Sequence, residues 1–134
     1  MAVLEVVLAD YLRAEAARPF ARGSADCVAL VADWVVRRRD LDPIAQWRGY
    51  ATDAEADALL NRYGGLGRIT ILATKQAGLV ETLTPRPGDV ALIATDVVTR
   101  AVAIRTPKGW VVRLREGLTL YPPEQVRLLR AWRV

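Results

Sequence analysis

Histidine is missing altogether from this sequence of 134 residues. Histidine is the side chain that most often moves protons near neutral pH, so its absence excludes His-dependent catalysis. Cysteine occurs once, as Cys27. One cysteine cannot form an intramolecular disulfide, and without histidine it cannot complete an ordinary zinc or iron–sulfur site. We therefore expect neither a metal nor any other cofactor.

Long hydrophobic runs are also missing. Charged residues recur every few positions, and no segment approaches the roughly 20 apolar residues that span a bilayer. The start, Met1–Leu8, is interrupted by Glu5 and so does not fit a secretory signal. With 52% hydrophobic residues the chain can bury a core unaided. We predict one soluble domain over residues 1–134, without membrane insertion.

The net charge of the chain is +4, and the positive charges are unevenly distributed along the sequence. Residues Arg100–Val134 include eight basic and two acidic residues, whereas the rest of the chain is slightly acidic. Such a basic segment could bind a polyanion. However, its arginines are spaced along apparent strands, as they are on solvated sheet faces, and this spacing does not favour nucleic acid as the partner.

The first half of the chain carries helical patterns. Apolar residues recur at helical spacing, Thr52 and Glu55 form a capping box, and Gly64-Gly65 breaks the pattern between two helices. We predict four helices: one from Val3 that ends before Pro19, one from Cys27 to Arg39, one from Thr52 to about Tyr63, and one from Leu66 to Ala77.

The second half consists of β-branched runs separated by turn residues. We predict antiparallel strands at Asp89–Thr95, Arg100–Thr106, Trp110–Arg115 and Val126–Arg133. Because the helices come first and the strands follow without alternation, the fold class is α+β. The expected architecture is a group of N-terminal helices packed on a C-terminal antiparallel sheet or small barrel.

Three segments resemble, in order and spacing, the NlpC-type cell-wall peptidases of the papain-like superfamily. In that family an aromatic-x-x-Gly segment leads to Asp-Cys at a helix start, Gly-Asp opens the first core strand, and a His-Val-Gly-Ile strand carries the base. The matching segments are Phe20–Val31, Arg86–Ile93, and Ala101–Ile104 followed by Gly109–Val112.

The chain looks closest to a small branch of that superfamily often encoded in the tail gene clusters of phages and gene-transfer agents. This branch also resembles the chain in Asp42-Pro43, Arg48-Gly49-Tyr50 and Gly64-Gly65. The resemblance covers roughly Phe20 to Val134 and implies a papain-like fold.

The resemblance places Cys27 at the position of the catalytic nucleophile and Ala101 at the position of its base. A thiol at a helix N-terminus is favoured as the thiolate, but alanine cannot accept a proton. The resemblance places the group that orients the base on the next strand, near Trp110–Arg113, where only Arg113 has a polar side chain, so neither partner of the nucleophile is present. We predict a degenerate site in which Cys27 is a vestigial nucleophile or a small buried apolar residue.

Two functions follow from the resemblance. The first is a structural or interaction component of a phage-like tail tip or baseplate, assembled in the bacterial cytoplasm and carried in the virion tail. Its partners would be other tail proteins, with peptidoglycan as a further candidate. The second is a cysteine hydrolase of peptidoglycan peptides that uses Cys27 and a base from another chain. For a contact surface we select aromatic and arginine anchors: Trp47, Arg48, Arg113 and Arg115.

Overall fold

The computed structural model describes residues 3–134. It contains four α-helices and six β-strands, with short 3-10 helices at Ala45–Trp47 and Pro123–Gln125. The helices are α1 (Val3–Ala16), α2 (Cys27–Arg39), α3 (Asp53–Tyr63) and α4 (Leu66–Gln76). The strands are β1 (Val80–Glu81), β2 (Val90–Ala94), β3 (Ala101–Thr106), β4 (Gly109–Leu114), β5 (Gly117–Tyr121) and β6 (Arg127–Arg133).

All six strands belong to one antiparallel sheet in the order β1-β6-β2-β3-β4-β5. The sheet is open, with β1 and β5 at its edges. A register shift interrupts the pairing of β2 with β6 between Leu92 and Ile93. The α+β class and the antiparallel sheet are confirmed, and the sheet is not a closed barrel.

Capping groups fix where the two middle helices begin. The carboxylate of Asp26 accepts a hydrogen bond from the amide of Ala29, so α2 starts at Cys27. The hydroxyl of Thr52 accepts one from the amide of Glu55 and starts α3. The predicted capping box therefore forms, although the Glu55 carboxylate bonds the amide of Ala51, one residue before Thr52.

Both faces of the sheet are buried. Alternate side chains along a strand point to opposite faces, and here they belong to two different buried clusters. One face packs against α1 and α2 through Val90, Leu92, Val102, Ile104 and Trp132. The other face carries small side chains around Trp110, namely Ala91, Ala101, Ala103 and Ala131. This double burial explains why β2 and β3 read as nearly continuous apolar runs.

The prediction that the C-terminal arginines lie on a solvated sheet face is wrong for Arg113. Its side chain is only 2% exposed. The guanidinium donates to the carbonyls of Glu15 at 2.9 Å and Arg18 at 3.0 Å, and to the Glu15 carboxylate at 3.2 Å. Position 113 lies on the face of β4 that meets α1, so the arginine fastens that helix to the sheet.

Two edge strands, β1 and β5, were not predicted, whereas the four helices and the four central strands lie within a residue or two of their predicted positions. Among the helices of residues 3–134, none combines the length and apolarity that crossing a membrane requires.

Candidate functional site

Cys27 lies where α2 meets β3. It is the first residue of the helix and is partly buried between the clusters on the two faces of the sheet. It packs against the buried clusters that contain Val102 and Ala101 of β3. Val102 directly follows Ala101, which is itself 3% exposed in the second cluster. The fold thus brings the cysteine to the strand that contains Ala101.

The carboxylate next to this thiol, on Asp26, is committed to structure. It accepts hydrogen bonds from the amides of Gly23 and Ala29 and from the hydroxyl of Tyr50, each at 2.9 Å. The guanidinium of Arg22 lies 3.6 Å away. Asp26 is 1% exposed, so these donors replace the water that the buried charge has lost. A carboxylate held in this way orients the loop before α2 and is poorly placed to act as a mobile base.

The glycine of the aromatic-x-x-Gly segment allows the loop to approach Tyr50. Gly23 has φ of +88°, and a Cβ atom built there would lie 1.9 Å from the carbonyl oxygen of Tyr50. No side chain can fit in that space. Gly23 and Tyr50 therefore depend on each other in two ways. Only glycine fits beside the Tyr50 carbonyl, and Asp26 accepts a hydrogen bond from each of the two residues.

Burial raises the pKa of the Cys27 thiol to about 11, and the negative charge of Asp26 acts in the same direction. Hydrogen bonds from the backbone at Val102 and Val28, together with Arg22, oppose the shift only in part. Cys27 is therefore a neutral thiol at physiological pH, in contrast to the low-pKa cysteines that act as nucleophiles.

Among residues 3–134, none of the side chains near Cys27 is suited to act as its general base. Burial, followed by the charge of Asp26, raises the pKa of Tyr50 well above its ordinary value, so this phenol stays protonated. Arg22 carries a permanent charge, and Ala101 has no titratable group. General acid–base assistance is worth about 10²–10⁴-fold in rate, and this geometry supplies none of it.

The four residues selected as contact anchors do not form one surface. Trp47 is 6% exposed and packs edge-on against Tyr63, and Arg113 is buried as described above. Both were wrong choices for an exposed anchor. Arg48 is half-buried and binds the carboxylates of Asp33 and Asp42. Of the four, only Arg115 lies fully on the surface.

Sequence reasoning missed an exposed cluster around Phe20. The guanidinium carbons of Arg22 and Arg115 each lie 4.9 Å from the centroid of the Phe20 ring. The carboxylate of Asp53 accepts hydrogen bonds from both arginines. These residues come from the loop before α2, the start of α3 and the end of β4. No local sequence signal unites them, because only the fold brings them together.

An apolar cavity of about 300 Å³ lies beside Cys27. Its walls come from α2, α3, α4, the connection after α2 and the sheet. Its apolar lining residues include Val28, Val31, Ile44, Trp47, Leu59, Leu60, Leu66, Ile69, Val102 and Trp132. Within residues 3–134 no three of the Cys, Asp and Glu side chains gather in a way that could hold a metal ion.

Comparison with known proteins identifies the family of the chain. No curated protein and no solved structure matches it. A family model described as a domain of unknown function, DUF6950, matches residues 2–134, which is nearly the whole chain. The chain therefore belongs to the DUF6950 family.

Proposed function

We propose that this domain is a structural or interaction component of a phage-like tail tip or baseplate, built on an NlpC-type peptidase fold that has lost catalysis. Its partners in this proposal are other tail or baseplate proteins, and it is carried in the virion tail. The observation that carries the loss of catalysis is the state of Cys27. The thiol is neutral and largely buried, it faces the strand that contains Ala101, and the chain has no histidine.

The structural roles of the residues in the Asp-Cys and Gly-Asp motifs support descent from an enzyme fold. Asp26 and Tyr50 hold the loop before α2, as described above. At the Gly-Asp motif, the carbonyl of Gly88 accepts a 2.8 Å hydrogen bond from the indole of Trp34, and Asp89 accepts one from Arg133 at 3.0 Å. A chain can lose its catalytic base and still need these residues to fold. The link to phage-like tails rests on the resemblance alone.

The surface best suited to a partner is the cluster of Phe20, Arg22, Asp53 and Arg115. Arginine and aromatic side chains are the usual anchors of protein interfaces. The side chains of Arg115 and Asp53 are 59% and 56% exposed, and they already contact each other. The cluster is therefore partly ordered before binding, which lowers the entropic cost of forming an interface.

The alternative, a peptidoglycan hydrolase with a base from another chain, is less well supported. Such a base would have to reach a largely buried thiol whose pKa is about 11. Binding of a polyanion is also disfavoured, because four of the seven arginines in residues 100–134 are in ion pairs: Arg113 with Glu15, Arg115 with Asp53, Arg130 with Glu81 and Arg133 with Asp89.

The proposal is tested by quantifying the chain in purified particles from the parent phage or phage-like element. We expect the wild-type chain to copurify at fixed stoichiometry. We expect Arg115→Glu, which sets an acid beside Asp53, to reduce incorporation at least about tenfold. Arg127→Glu is the matched control, since Arg127 is an exposed arginine without an ion pair among residues 3–134.

Three results would distinguish an error in the tail assignment, an error in the contact surface and a nonspecific effect of charge. Absence of the wild-type chain from particles would overturn the tail assignment. Normal incorporation of Arg115→Glu would remove the Phe20 cluster as the contact surface. Loss of incorporation in both variants would indicate a response to net charge rather than to a defined interface.

A further inference from the structure

Helix α3 covers the cavity beside Cys27 and packs on the core only through the partly buried Leu59, Leu60 and Tyr63. It contains no fully buried residue, although Leu59 and Leu60 turn toward the cavity. Protein interiors are normally close-packed, with few voids larger than a water molecule. A space of about 300 Å³ is at the lower end of the range of ligand pockets, roughly 300–1,000 Å³. The space thus suits one slender apolar group.

Two charged side chains at the cavity have no partner within residues 3–134. Arg100 and Asp57 both line the cavity at exposed positions, and neither has an ion pair within 4.0 Å or a side-chain hydrogen bond. Arg22, by contrast, contacts Asp26 and Asp53. An unpaired guanidinium beside an apolar space favours a ligand that carries both an anion and a hydrocarbon body.

The start of α4 adds positive potential at the same place. Its N-cap, Gly65, provides no side-chain hydrogen bond, and the first turn holds no acidic residue. A Cβ at Gly67 would lie 3.0 Å from Nη1 of Arg100, so the guanidinium rests against that first turn. The free amides of a helix start attract anions and repel cations. An anion that contacts both the first-turn amides of α4 and Arg100 would offset this repulsion.

The indole of Trp47 is a buried hydrogen-bond donor at the cavity, and it is an observation independent of Arg100. Trp47 is 6% exposed and lines the cavity, and its buried Nε1–H has no acceptor within residues 3–134. Buried donors in folded proteins almost always find a partner. An oxygen on a bound molecule, or a water that accompanies it, would supply the missing acceptor.

We propose that this cavity binds the hydrocarbon chain of an unbranched aliphatic carboxylate, with the carboxylate held by Arg100 and the first-turn amides of α4. Charge complementarity and the slender apolar space favour this occupant over a neutral lipid. The groups that bind the carboxylate do not belong to the interaction surface at Phe20, although Arg22 borders both sites. The proposed ligand site does not depend on the proposed role in a tail.

The test is titration of the full chain with decanoate, followed by calorimetry and by the indole N–H signal of Trp47, assigned with Trp47→Phe. We expect saturable binding that shifts this signal, and weaker binding of the uncharged decanol. Arg100→Gln should weaken decanoate binding about tenfold or more and leave decanol binding unchanged. Arg127→Gln, at an arginine outside the cavity, should bind like the wild type.

Filling the cavity provides a second arm. Leu60→Trp on α3 should abolish decanoate binding, and if that variant does not fold, Ala56→Leu on the same helix replaces it. Decanoate binding that is absent, no tighter than that of decanol, or insensitive to Arg100→Gln would overturn the proposal. So would binding of a leucine-rich tripeptide with a free C-terminal carboxylate in place of decanoate, which would assign the cavity to a protein terminus.

Discussion

At the scale of single residues, Cys27 occupies the position of a nucleophile, but its surroundings do not favour the reactive thiolate. Cys27 stands at a helix start, after an aspartate, in a motif typical of cysteine peptidases. Only the fold reveals that burial and the capping charge of Asp26 outweigh the favourable helix end and raise the pKa of the thiol to about 11. The absence of histidine was visible in the sequence, whereas the raised pKa was not.

Alkylation of Cys27 should reflect this environment. At pH 7 a pKa of about 11 leaves at least two orders of magnitude less thiolate than an ordinary cysteine has, so we expect slow reaction with iodoacetamide in the folded protein. The rate should rise with pH up to about 11, and unfolding in urea should restore ordinary reactivity. Rapid labelling of the folded chain at pH 7 would contradict the neutral, buried thiol.

Arg113 is the residue whose role was hardest to predict from the sequence. Its spacing along a strand suggested a solvated side chain, but position 113 faces α1 and Glu15. Arg113→Ala should lower the free energy of unfolding by about 3–5 kcal/mol, because Glu15 then loses its buried partner. Arg115→Ala, whose ion pair is exposed, should change it by less than about 1 kcal/mol. Urea denaturation measures both.

A double variant separates the charge effect from lost packing. Glu15→Leu combined with Arg113→Met removes both buried charges and should recover part of the loss in Arg113→Ala. Equal destabilisation by Arg113→Ala and Arg115→Ala would show that the buried pair does not anchor α1.

At the scale of elements, capping and turn chemistry made the helices predictable. Asp26, Thr52 and the Gly64-Gly65 break mark helix ends by local interactions that a sequence displays directly. The edge strands lack such signals. β1 has only two residues, and β5 pairs along β4 with a half-exposed pattern that resembles a loop. Their pairing depends on neighbours that are distant in sequence.

The loop before α2 depends on a close backbone approach, and this can be tested with a pair of glycines. Gly65→Ala should cost about 1–3 kcal/mol, the strain of a positive φ alone, because no atom lies within 4 Å of the added Cβ. Gly23→Ala should cost more, since its Cβ would collide with the Tyr50 carbonyl. Thermal unfolding of the two variants gives the comparison, and equal losses would contradict the steric role of Gly23.

At the scale of the whole molecule, helices followed by strands were enough to give the α+β class, but not the contact surface. The Phe20 cluster joins the loop before α2, α3 and β4, and the cavity joins three helices and the sheet. Such sites arise from long-range packing, which no local pattern in the sequence encodes. Trp47 was therefore assigned to a surface although it lies in the core, and Arg100 was overlooked although it has no ion pair among residues 3–134.

The proposed loss of catalysis is tested most directly by the release of amines from purified peptidoglycan fragments, followed by mass spectrometry. The isolated chain and purified particles are compared with their Cys27→Ala counterparts, so that a base supplied by another chain is included. We predict the same background release with and without Cys27 in both preparations. Release that requires Cys27, in either preparation, would contradict the account and identify the domain as a hydrolase.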